Sequence, residues 1–273
     1  MLHKIAIITV VYRNYSILED FFASFKRQTN RNFRIYICDQ SENPHSITQP
    51  PFVTVMHSKN LGYAHGINIC LKTAMADGYD KFCVINSDTT VSENFVEKLQ
   101  NRLTKMSGSI IGGKIYYYPG YEYHKKRYTS DQRGAVIWYA GGFIDWQNVD
   151  GIHRGVDQVD ERKYRQFEKT DFITGCLMSF DKSVLNKIGF WDENYFLYFE
   201  DADYCVRARK IGINLYYDPE IIIWHKNAQS TEGSGSDVHQ KYQRRSRLKF
   251  GLKYAPLSTK IHLIKNYFFR DRF

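Results

Sequence analysis

Residues 4–39 read KIAIITVVYRNYSILEDFFASFKRQTNRNFRIYICD, and this stretch decides the fold class. Residues 4–11 form an apolar run that is typical of a buried β-strand, and residues 33–38 form a second such run. Between them, Ser16 with Glu19 three positions later matches a capping box and predicts the start of a helix. A strand, a helix and a second strand in this order predict an α/β protein with a mainly parallel central sheet flanked by helices.

The alternation of strands and helices continues along the first third of the chain. The apolar patterns predict strands at residues 52–56 and 81–86, and helices at residues 64–76 and 92–105, the last of them capped by Ser92. In a parallel sheet, ligands bind beyond the carboxyl ends of the strands. Three candidate groups follow predicted strand ends: Val11-Tyr12, Asp39 and Asn86-Ser87-Asp88.

The remainder of the chain is less regular. Between residues 110 and 171 the periodicity is weak, which indicates either a long surface loop or a segment that covers a substrate. Regular patterns return beyond it and predict these elements: a strand at 172–180, helices at 182–187 and from Phe199 or Glu200 to 210, and strands at 213–217 and 221–224 joined by an Asp218-Pro219 turn.

The composition indicates a folded protein with an anionic partner. Hydrophobic residues make up 43% of the 273 residues, and the net charge of +9 favours a polyanion, an anionic membrane surface or a phosphate-bearing substrate. We find neither a signal peptide nor an apolar run long enough to span a membrane. The five cysteines form no C-x-x-C pair, so we expect reduced core residues of a cytoplasmic protein: Cys38, Cys70, Cys83, Cys176 and Cys205.

The C-terminal segment, residues 241–273, is rich in Lys, Arg and aromatic residues and contains one acid, Asp271. A basic amphipathic segment of this kind is typical of contact with an anionic membrane surface, here the inner face of the cell membrane. The alternative is a helix that packs on the domain and turns a basic face to solvent. The sequence leaves both interpretations open.

Three polar residues suggest chemistry when they are taken together. Separately, Asp88 fits a turn, Asp201 can pair with an arginine on its own helix, and His225 fits a buried core position. Together, one carboxylate and the imidazole are suitable ligands for a divalent metal, and the second carboxylate is a suitable proton acceptor. This combination suits a reaction with a diphosphate leaving group.

An ordered series of motifs resembles the family 2 inverting glycosyltransferases, and in particular the rhamnosyltransferase-like branch that builds cell-surface polysaccharides. In the second half of the chain the motifs are IWYAGG at 137–142, HRG at 153–155, DFITGCLM at 171–178, GFWDENYFLYFEDADYCVRA at 189–208, Tyr217-Asp218-Pro219 and His225. In the first half they are Val11-Tyr12, Cys38-Asp39, residues 60–64 and Asn86-Ser87-Asp88.

The resemblance implies a GT-A fold in one domain over residues 1–240. It places a nucleotide-binding half at residues 1–106 and an acceptor and catalytic half at residues 107–240, followed by the basic helical tail at residues 241–273. A family member often has Thr-Tyr-Asn or Asn-Tyr-Asn after the first strand, whereas this chain has Val11-Tyr12-Arg13-Asn14.

The resemblance also implies roles for single residues. Asp39 would accept a hydrogen bond from a pyrimidine, and Gly62 would permit close backbone approach to the nucleotide. Asp88 ends a D-x-D-type motif that begins with Asn86 here, and it would bind Mn²⁺ or Mg²⁺ together with His225. The implied nucleotide-sugar contacts are Val11, Tyr12, Asp39, Asn60, Gly62, Asn86, Ser87 and Asp88.

For the reaction itself, the resemblance implies that Asp201 is the catalytic base and that Glu200 beside it orients or binds the acceptor. The implied acceptor contacts are Thr174, Gly175, Trp138 and Trp191. The reaction would be a single displacement with inversion, in which a sugar, with rhamnose as the candidate, moves from UDP or dTDP to a glycan or a polyprenyl-diphosphate-linked acceptor.

Other functions agree with parts of the sequence. The net charge and the basic tail suggest a nucleic-acid-binding protein, but no reader motif is present and we expect no nucleic acid. A nucleotidyltransferase would share the α/β nucleotide half, but it would release pyrophosphate and would have no need of Asp201. A sugar-binding relative without activity would not be expected to keep all three polar residues.

Overall fold

The computed structural model describes residues 4–45, 47, 49–227 and 237–269. The first part of the chain contains β1 (Ile5–Val11), α1 (Leu18–Lys26), β2 (Phe33–Asp39), β3 (Val53–His57), α2 (Tyr63–Ala76), β4 (Lys81–Ile85), β5 (Thr89–Val91) and α3 (Phe95–Lys105). The second part contains β6 (Ile110–Tyr117), β7 (Ile137–Tyr139), β8 (Gly142–Asp145), β9 (Asp150–His153), β10 (Glu168–Lys169), β11 (Leu177–Asp181), α4 (Lys182–Ile188), α5 (Glu200–Lys210), β12 (Leu215–His225), α6 (Asp237–Tyr254) and α7 (Leu257–Phe269).

Within the described residues, one sheet of ten strands forms the centre of the molecule, so the predicted α/β class is confirmed. The strand order is β10-β12-β6-β11-β4-β1-β2-β3, with β5 paired to β12 and β7 paired to β6. Strands β4, β1, β2 and β3 are mutually parallel, as predicted, and β6 is parallel to β12. Strand β11 runs antiparallel to both β4 and β6, so it joins the two parallel groups into a mixed sheet.

The core lies along the central strands. Strand β4 is buried at all five positions, and every residue of β1 except Val10 is buried, as expected for strands covered on both faces. All five cysteines are buried free thiols, which confirms that they are core residues.

The helices begin later than the capping signals predict. Helix α1 has Ile17 at its N-cap without a side-chain hydrogen bond, and the hydroxyl of Ser16 donates to the side chain of Asn14. Helix α3 is similar, because the hydroxyl of Ser92 donates to the side chain of Asn94. The predicted capping roles of both serines are therefore wrong, although the two helices are present.

The prediction of a turn at Asp218-Pro219 is also wrong. The Asp218-Pro219 pair was expected to separate two strands, but β12 is continuous and pairs with β6 on both sides of a register shift between Asp218 and Ile222. Pro219 has no N–H to donate, so it fits a local bulge in the ladder. The partner strand β6 lies in the segment whose periodicity is weak, and the sequence did not predict it.

The predicted strand at 172–180 is also shorter than expected. Its ordered part, β11, begins at Leu177, so residues 172–176 form a loop that leads into the sheet. This loop carries Thr174 and Gly175, two of the predicted acceptor contacts.

Helix α6 packs on the domain, as the second interpretation of the tail predicted. The Phe250 ring is buried and stacks on Trp146 at a centroid distance of 5.6 Å. Lys253 and Tyr254 both bond to the Asp203 carboxylate, at 2.6 and 2.7 Å. Helix α6 runs through the predicted boundary between residues 240 and 241, whereas residues 228–236 and 270–273 lie outside the described part of the chain.

Candidate active site

A cavity of about 530 Å³ opens where β1 and β4 end, and both halves of the chain line it. Most of the residues that the sequence predicted for the site line this cavity. They are Tyr12, Asn60, Gly62, Asn86, Ser87, Asp88, Trp138, Thr174, Gly175, Glu200, Asp201 and His225.

Asp88 and His225 form a buried pair in this cavity. Oδ1 of Asp88 lies 3.1 Å from Nε2 of His225, and both side chains are about 95% buried. Adjacent strands hold them together, because Thr89 of β5 is paired with His225 of β12 and the N–H of Lys226 donates to the Asp88 carbonyl. Residues 137 positions apart in the sequence are thus neighbours through two short ladders.

The electrostatics of this pair fit a bound cation. Burial disfavours the charged imidazole, but the neighbouring Cys176 and Asp88 outweigh burial and raise the pKa of His225 well above its usual range. A site that attracts a proton so strongly between a carboxylate and an imidazole also attracts a metal ion, which competes with that proton.

The distance within the pair also fits a metal. A carboxylate oxygen and an imidazole nitrogen at this separation would both be able to reach one small divalent cation. Diphosphate oxygens and water would complete its ligands. Among the described residues, no larger group of His, Cys, Asp and Glu has the arrangement of a metal site. The fit of Asp88 and His225 therefore rests on their separation and donor chemistry.

Asp201 is held in the same cavity by backbone N–H groups. The N–H of Gly175 donates to its Oδ2 at 2.7 Å, and the N–H of Ala202 donates to its Oδ1 at 2.7 Å. Asp201 lies in the first turn of α5. The two residues that precede this helix, Tyr198 and Phe199, have left-handed backbone conformations with φ values of +68° each. This change of chain direction orients the first turn of α5 toward the loop that contains Gly175.

Tyr63 connects the two halves of the site. Its hydroxyl lies 3.0 Å from Oδ1 of Asn86 and 3.3 Å from the carbonyl of Gly175. The chain of contacts from Asn86 through Tyr63 and Gly175 to Asp201 links the end of β4 to the start of α5. Asp201 is therefore fixed relative to the Asn86-Ser87-Asp88 segment.

Glu200 and Asp201 are two adjacent carboxyl groups with different environments. Burial raises the pKa of Glu200 well above its usual value, and the charge of Asp201 raises it further. Burial also raises the pKa of Asp201, but the hydrogen bonds from Gly175 and Ala202 oppose this effect. Because Oε2 of Glu200 is buried and has no hydrogen-bond partner among the described residues, Glu200 is the carboxyl group that more readily keeps a proton.

Gly62 makes a close approach, but to the protein itself. Its φ is +106°, and a Cβ at this position would lie 2.5 Å from the carbonyl oxygen of Phe196. The same carbonyl accepts a hydrogen bond from the N–H of Tyr63 at 2.8 Å. A glycine is therefore required here for the contact between the two halves, whether or not a nucleotide is bound.

Three predicted residues do not line the cavity. Val11 and Asp39 are paired at the buried ends of β1 and β2, and the Asp39 carboxylate accepts hydrogen bonds from the hydroxyl of Tyr15 and the N–H of Ser41. Trp191 is buried behind the loop and stacks on Tyr204 at 5.3 Å.

Arg13, which follows Tyr12, forms an ion pair with Glu42 at 3.0 Å on the surface. Both side chains are more than half exposed, so this ion pair lies on the solvent side of the loop that follows β1.

Several lining residues were not predicted as contacts. They are Val10, Gln40, Tyr63, His153, Cys176, Phe196, Leu197, Tyr198, Asn227, Tyr242 and Gln243. Tyr63, His153 and residues 196–198 lie inside the quoted motifs, so the signal was present for them. Tyr242 and Gln243 belong to α6, and nothing in the sequence placed that helix beside the cavity.

Comparison with known proteins gives a family and a fold. The model of the family described as Glycosyl transferase family 2 matches residues 6–189. The low-salt glycan biosynthesis hexosyltransferase Agl10 of Haloferax volcanii is 34% identical over 157 residues, which cover 57% of this chain and 46% of that protein. The alignment thus spans about half the length of that relative.

A second relative aligns over a longer region. The N-acetylglucosaminyl-diphospho-decaprenol L-rhamnosyltransferase of Mycobacterium tuberculosis is 24% identical over 246 residues, covering 85% of this chain and 78% of that protein.

Two solved structures share the fold. GalNAc-T7 with UDP, GalNAc and Mn²⁺ superposes with a TM-score of 0.66 at 13% identity, covering 91% of this chain and 47% of that one. The mannosyltransferase PcManGT from Pyrobaculum calidifontis with GDP-Man and Mn²⁺ superposes with a TM-score of 0.59 at 10% identity, covering 97% of this chain and 69% of that one. These similarities confirm the predicted GT-A fold.

Glu200→Gln is expected to change the pH dependence of stability. Since the folded-state pKa of Glu200 is raised above its ordinary value of 4.5, the folded protein binds a proton more tightly than the unfolded chain does. The free energy of unfolding should therefore fall as pH rises from 4.5 through the raised pKa. Because the variant has no ionisable group at this position, its free energy of unfolding should not show this decline. At pH 8 the variant should therefore be more stable than the wild type, as measured by urea unfolding in the presence of EDTA.

Glu193→Gln is the control with the opposite sign. Hydrogen bonds from Asn68 and His65 lower the pKa of Glu193, so its removal should reduce stability at neutral pH. If Glu200→Gln also loses stability at pH 8, the ionised form of Glu200 is not disfavoured in the folded protein.

Proposed function

The chain belongs to glycosyl transferase family 2. We propose that it is a glycosyltransferase that catalyses metal-dependent transfer of a sugar, with inversion, from a nucleoside diphosphate to a hydroxyl group of an acceptor. One observation carries the proposal: the Asp201 carboxylate lines the same cavity as the Asp88–His225 pair. A proton acceptor and a set of ligands for a diphosphate-bound cation thus face one space. The family membership favours this activity over nucleotidyl transfer or nucleic-acid binding.

Asp201 takes the proton from the acceptor hydroxyl as that oxygen attacks the anomeric carbon. The N–H of Gly175 holds Oδ2 of Asp201 in place, and the raised pKa of the carboxyl makes it a stronger base than an exposed aspartate. Glu200 keeps its proton beside it and can donate a hydrogen bond to the acceptor. With Glu200 neutral, Asp201 is the ionised member of the pair.

Asp88 and His225 would hold the divalent cation, Mn²⁺ or Mg²⁺. When bound, the cation neutralises the charge that develops on the departing diphosphate. Asn60, Asn86 and Ser87 also line the cavity, and their side chains would contact the nucleotide sugar. The side chain of Asn86 is oriented for this role by the Tyr63 hydroxyl.

The donor and acceptor are proposed from similarity. The mycobacterial relative is named as a rhamnosyltransferase that acts on a diphospho-decaprenol-linked sugar, and the archaeal relative is named as a hexosyltransferase of glycan biosynthesis. We therefore propose a UDP- or dTDP-linked hexose as donor, with dTDP-rhamnose as the first candidate. The acceptor is a glycan or a polyprenyl-diphosphate-linked saccharide of a cell-surface polysaccharide. Trp138 and Thr174 contact it in the cavity.

A peripheral membrane contact through α7 follows from this acceptor. Leu257, Ile261 and Ile264 are spaced along one face of α7 and are 74%, 49% and 43% exposed. Lys260 and Lys265 lie on the same helix, and an anionic surface attracts them. Within the described residues, no helix is both long and apolar enough to cross a bilayer. We propose that α7 lies on the surface of an anionic membrane with this apolar face inserted.

Asp201→Asn should abolish sugar transfer while donor binding is retained. Loss of a general base costs about 10²–10⁴-fold in rate, and the amide can still accept the Gly175 hydrogen bond. The measurement is product formation from a panel of UDP-, dTDP- and GDP-sugars with Mn²⁺. Asp192→Asn is the control, because this loop aspartate pairs with Lys253 and does not line the cavity. Wild-type turnover in Asp201→Asn would remove Asp201 from the mechanism.

Asp88→Ala should weaken metal-dependent binding of a nucleoside diphosphate by about tenfold or more, because half of the protein ligand set is lost. Calorimetry with UDP, dTDP or GDP is performed with Mn²⁺ and again with EDTA. In the variant, the affinity for the nucleoside diphosphate should no longer increase when Mn²⁺ is added, and the affinity measured in EDTA should equal that of the wild type. Equal Mn²⁺-dependent affinity in the variant and the wild type would contradict the assignment.

Replacing Leu257, Ile261 and Ile264 by Ser should reduce sedimentation with phosphatidylglycerol vesicles by about an order of magnitude. The reason is that buried apolar area contributes most of the free energy of insertion into the membrane surface. Ile211→Ser is the matched control, because Ile211 is 53% exposed outside α7. Added salt should weaken wild-type binding. Equal sedimentation of the triple variant and the wild type would exclude α7 as the contact.

A further inference from the structure

The segment expected to be a loop or a substrate cover brings His153 to the cavity. His153 ends strand β9, which pairs with β8 in a two-stranded sheet, and Trp138 lies next to it in β7. Both side chains line the active-site cavity. The described structure therefore makes this segment part of the site, although it lies far in the sequence from Asp88.

The hydrogen bond of His153 determines its tautomer. Nδ1 lies 3.1 Å from the carbonyl oxygen of Trp138, and a carbonyl oxygen only accepts, so Nδ1 carries the hydrogen. Burial lowers the pKa of His153 to about 4, so the ring is neutral at pH 6–8. Nε2 is then a lone-pair acceptor, and in the described part of the chain no residue donates a hydrogen bond to it.

Aromatic packing holds the ring in position. The indole of Trp138 contacts both histidines edge-to-face, with centroid distances of 4.4 Å to His153 and 4.7 Å to His225. Tyr139 and Phe172 also contact the His153 ring, at centroid distances of 5.2 and 6.0 Å. His153 and the Asp88–His225 pair are thus connected through one shared aromatic neighbour, Trp138.

The chemistry of Nε2 selects the kind of group that it binds. Ionised phosphate and carboxylate oxygens at neutral pH have no hydrogen to donate. They therefore cannot form a hydrogen bond with this nitrogen, which is itself an acceptor. A hydroxyl group can donate to it. In a nucleotide sugar, two rings carry hydroxyl groups next to the diphosphate: the pentose of the nucleoside and the sugar that is transferred. Binding of the nucleoside diphosphate alone distinguishes the two.

We propose that Nε2 of His153 accepts a hydrogen bond from a hydroxyl group of the sugar that is transferred, beside Trp138. This inference rests on the proposed function, because it requires a nucleoside-diphosphate sugar in the cavity. It makes His153 a residue that recognises the donor sugar and leaves the diphosphate to Asp88 and His225.

Two variants separate the two ring nitrogens. The amide of His153→Gln places an oxygen near the position of Nε2 and keeps an acceptor there. The amide of His153→Asn places a nitrogen near the position of Nδ1 and keeps the bond to the Trp138 carbonyl, but it removes the distal acceptor. His153→Phe keeps the ring and removes both nitrogens. His124→Phe, at an exposed position of the same segment, is the matched control.

The probes are the nucleoside-diphosphate hexose that the donor screen identifies and the nucleoside diphosphate of the same base, each with Mn²⁺. We expect His153→Asn and His153→Phe to lose about 3- to 10-fold in affinity for the nucleotide sugar and in kcat/KM for its hydrolysis without acceptor. Affinity for the nucleoside diphosphate alone should not change. His153→Gln should retain more sugar affinity than His153→Asn, and His124→Phe should match the wild type.

Deoxy analogues of the donor identify the hydroxyl. Removal of one hydroxyl should weaken binding to the wild type and have little further effect in His153→Phe. The proposal is overturned if all His153 variants bind the nucleotide sugar as the wild type does, or if they lose the nucleoside diphosphate equally. It is also overturned if only the KM for the acceptor changes. If the wild type binds and turns over no nucleotide sugar, the proposed function has failed instead.

Discussion

The hydrogen bond from the Gly175 N–H to the Asp201 carboxylate is the contact on which the site depends. Gly175 lies in the loop before β11, and the antiparallel pairing of β11 with β4 brings this loop beside Asn86. Tyr63 completes the link from the nucleotide side. Without β11 between the two parallel groups of strands, Asp201 and Asp88 would have no common cavity. Strand β11, which is antiparallel to the strand on each side of it, therefore connects the two parts of the active site.

Burial gives the polar groups of the cavity different properties. Asp88 and His225 are opposite charges at contact distance, so they attract a proton or a cation. Glu200 and Asp201 are like charges, so the less well hydrogen-bonded of the two, Glu200, keeps the proton. His153 is surrounded by aromatic rings and is neutral. A cation site, a base and a neutral acceptor thus coexist in one cavity because each has different neighbours.

Local patterns predicted the elements whose signals are local. Strands β1, β2 and β4 and helices α2 and α5 were found within a residue or two of their predicted ends, because each has a strong apolar period or a clear start. The capping roles of Ser16 and Ser92 failed, since a hydroxyl has several nearby acceptors and the sequence does not rank them. Strand β6 was missed because Gly112, Gly113 and Lys114 interrupt its run of Ile and Tyr residues, and the strand is ordered by pairing with β12.

The sequence by itself determined the α/β class, the family resemblance and most residues of the cavity, since motifs name residue types and their order. It did not determine which side chains reach the cavity. Asp39 and Trp191 are buried and do not line the cavity, whereas His153 and Tyr242 do. Only the tertiary structure decided this, because strand pairing and the packing of α6 join residues that are far apart in the chain. Contacts of this kind depend on how elements pack, and no local pattern encodes them.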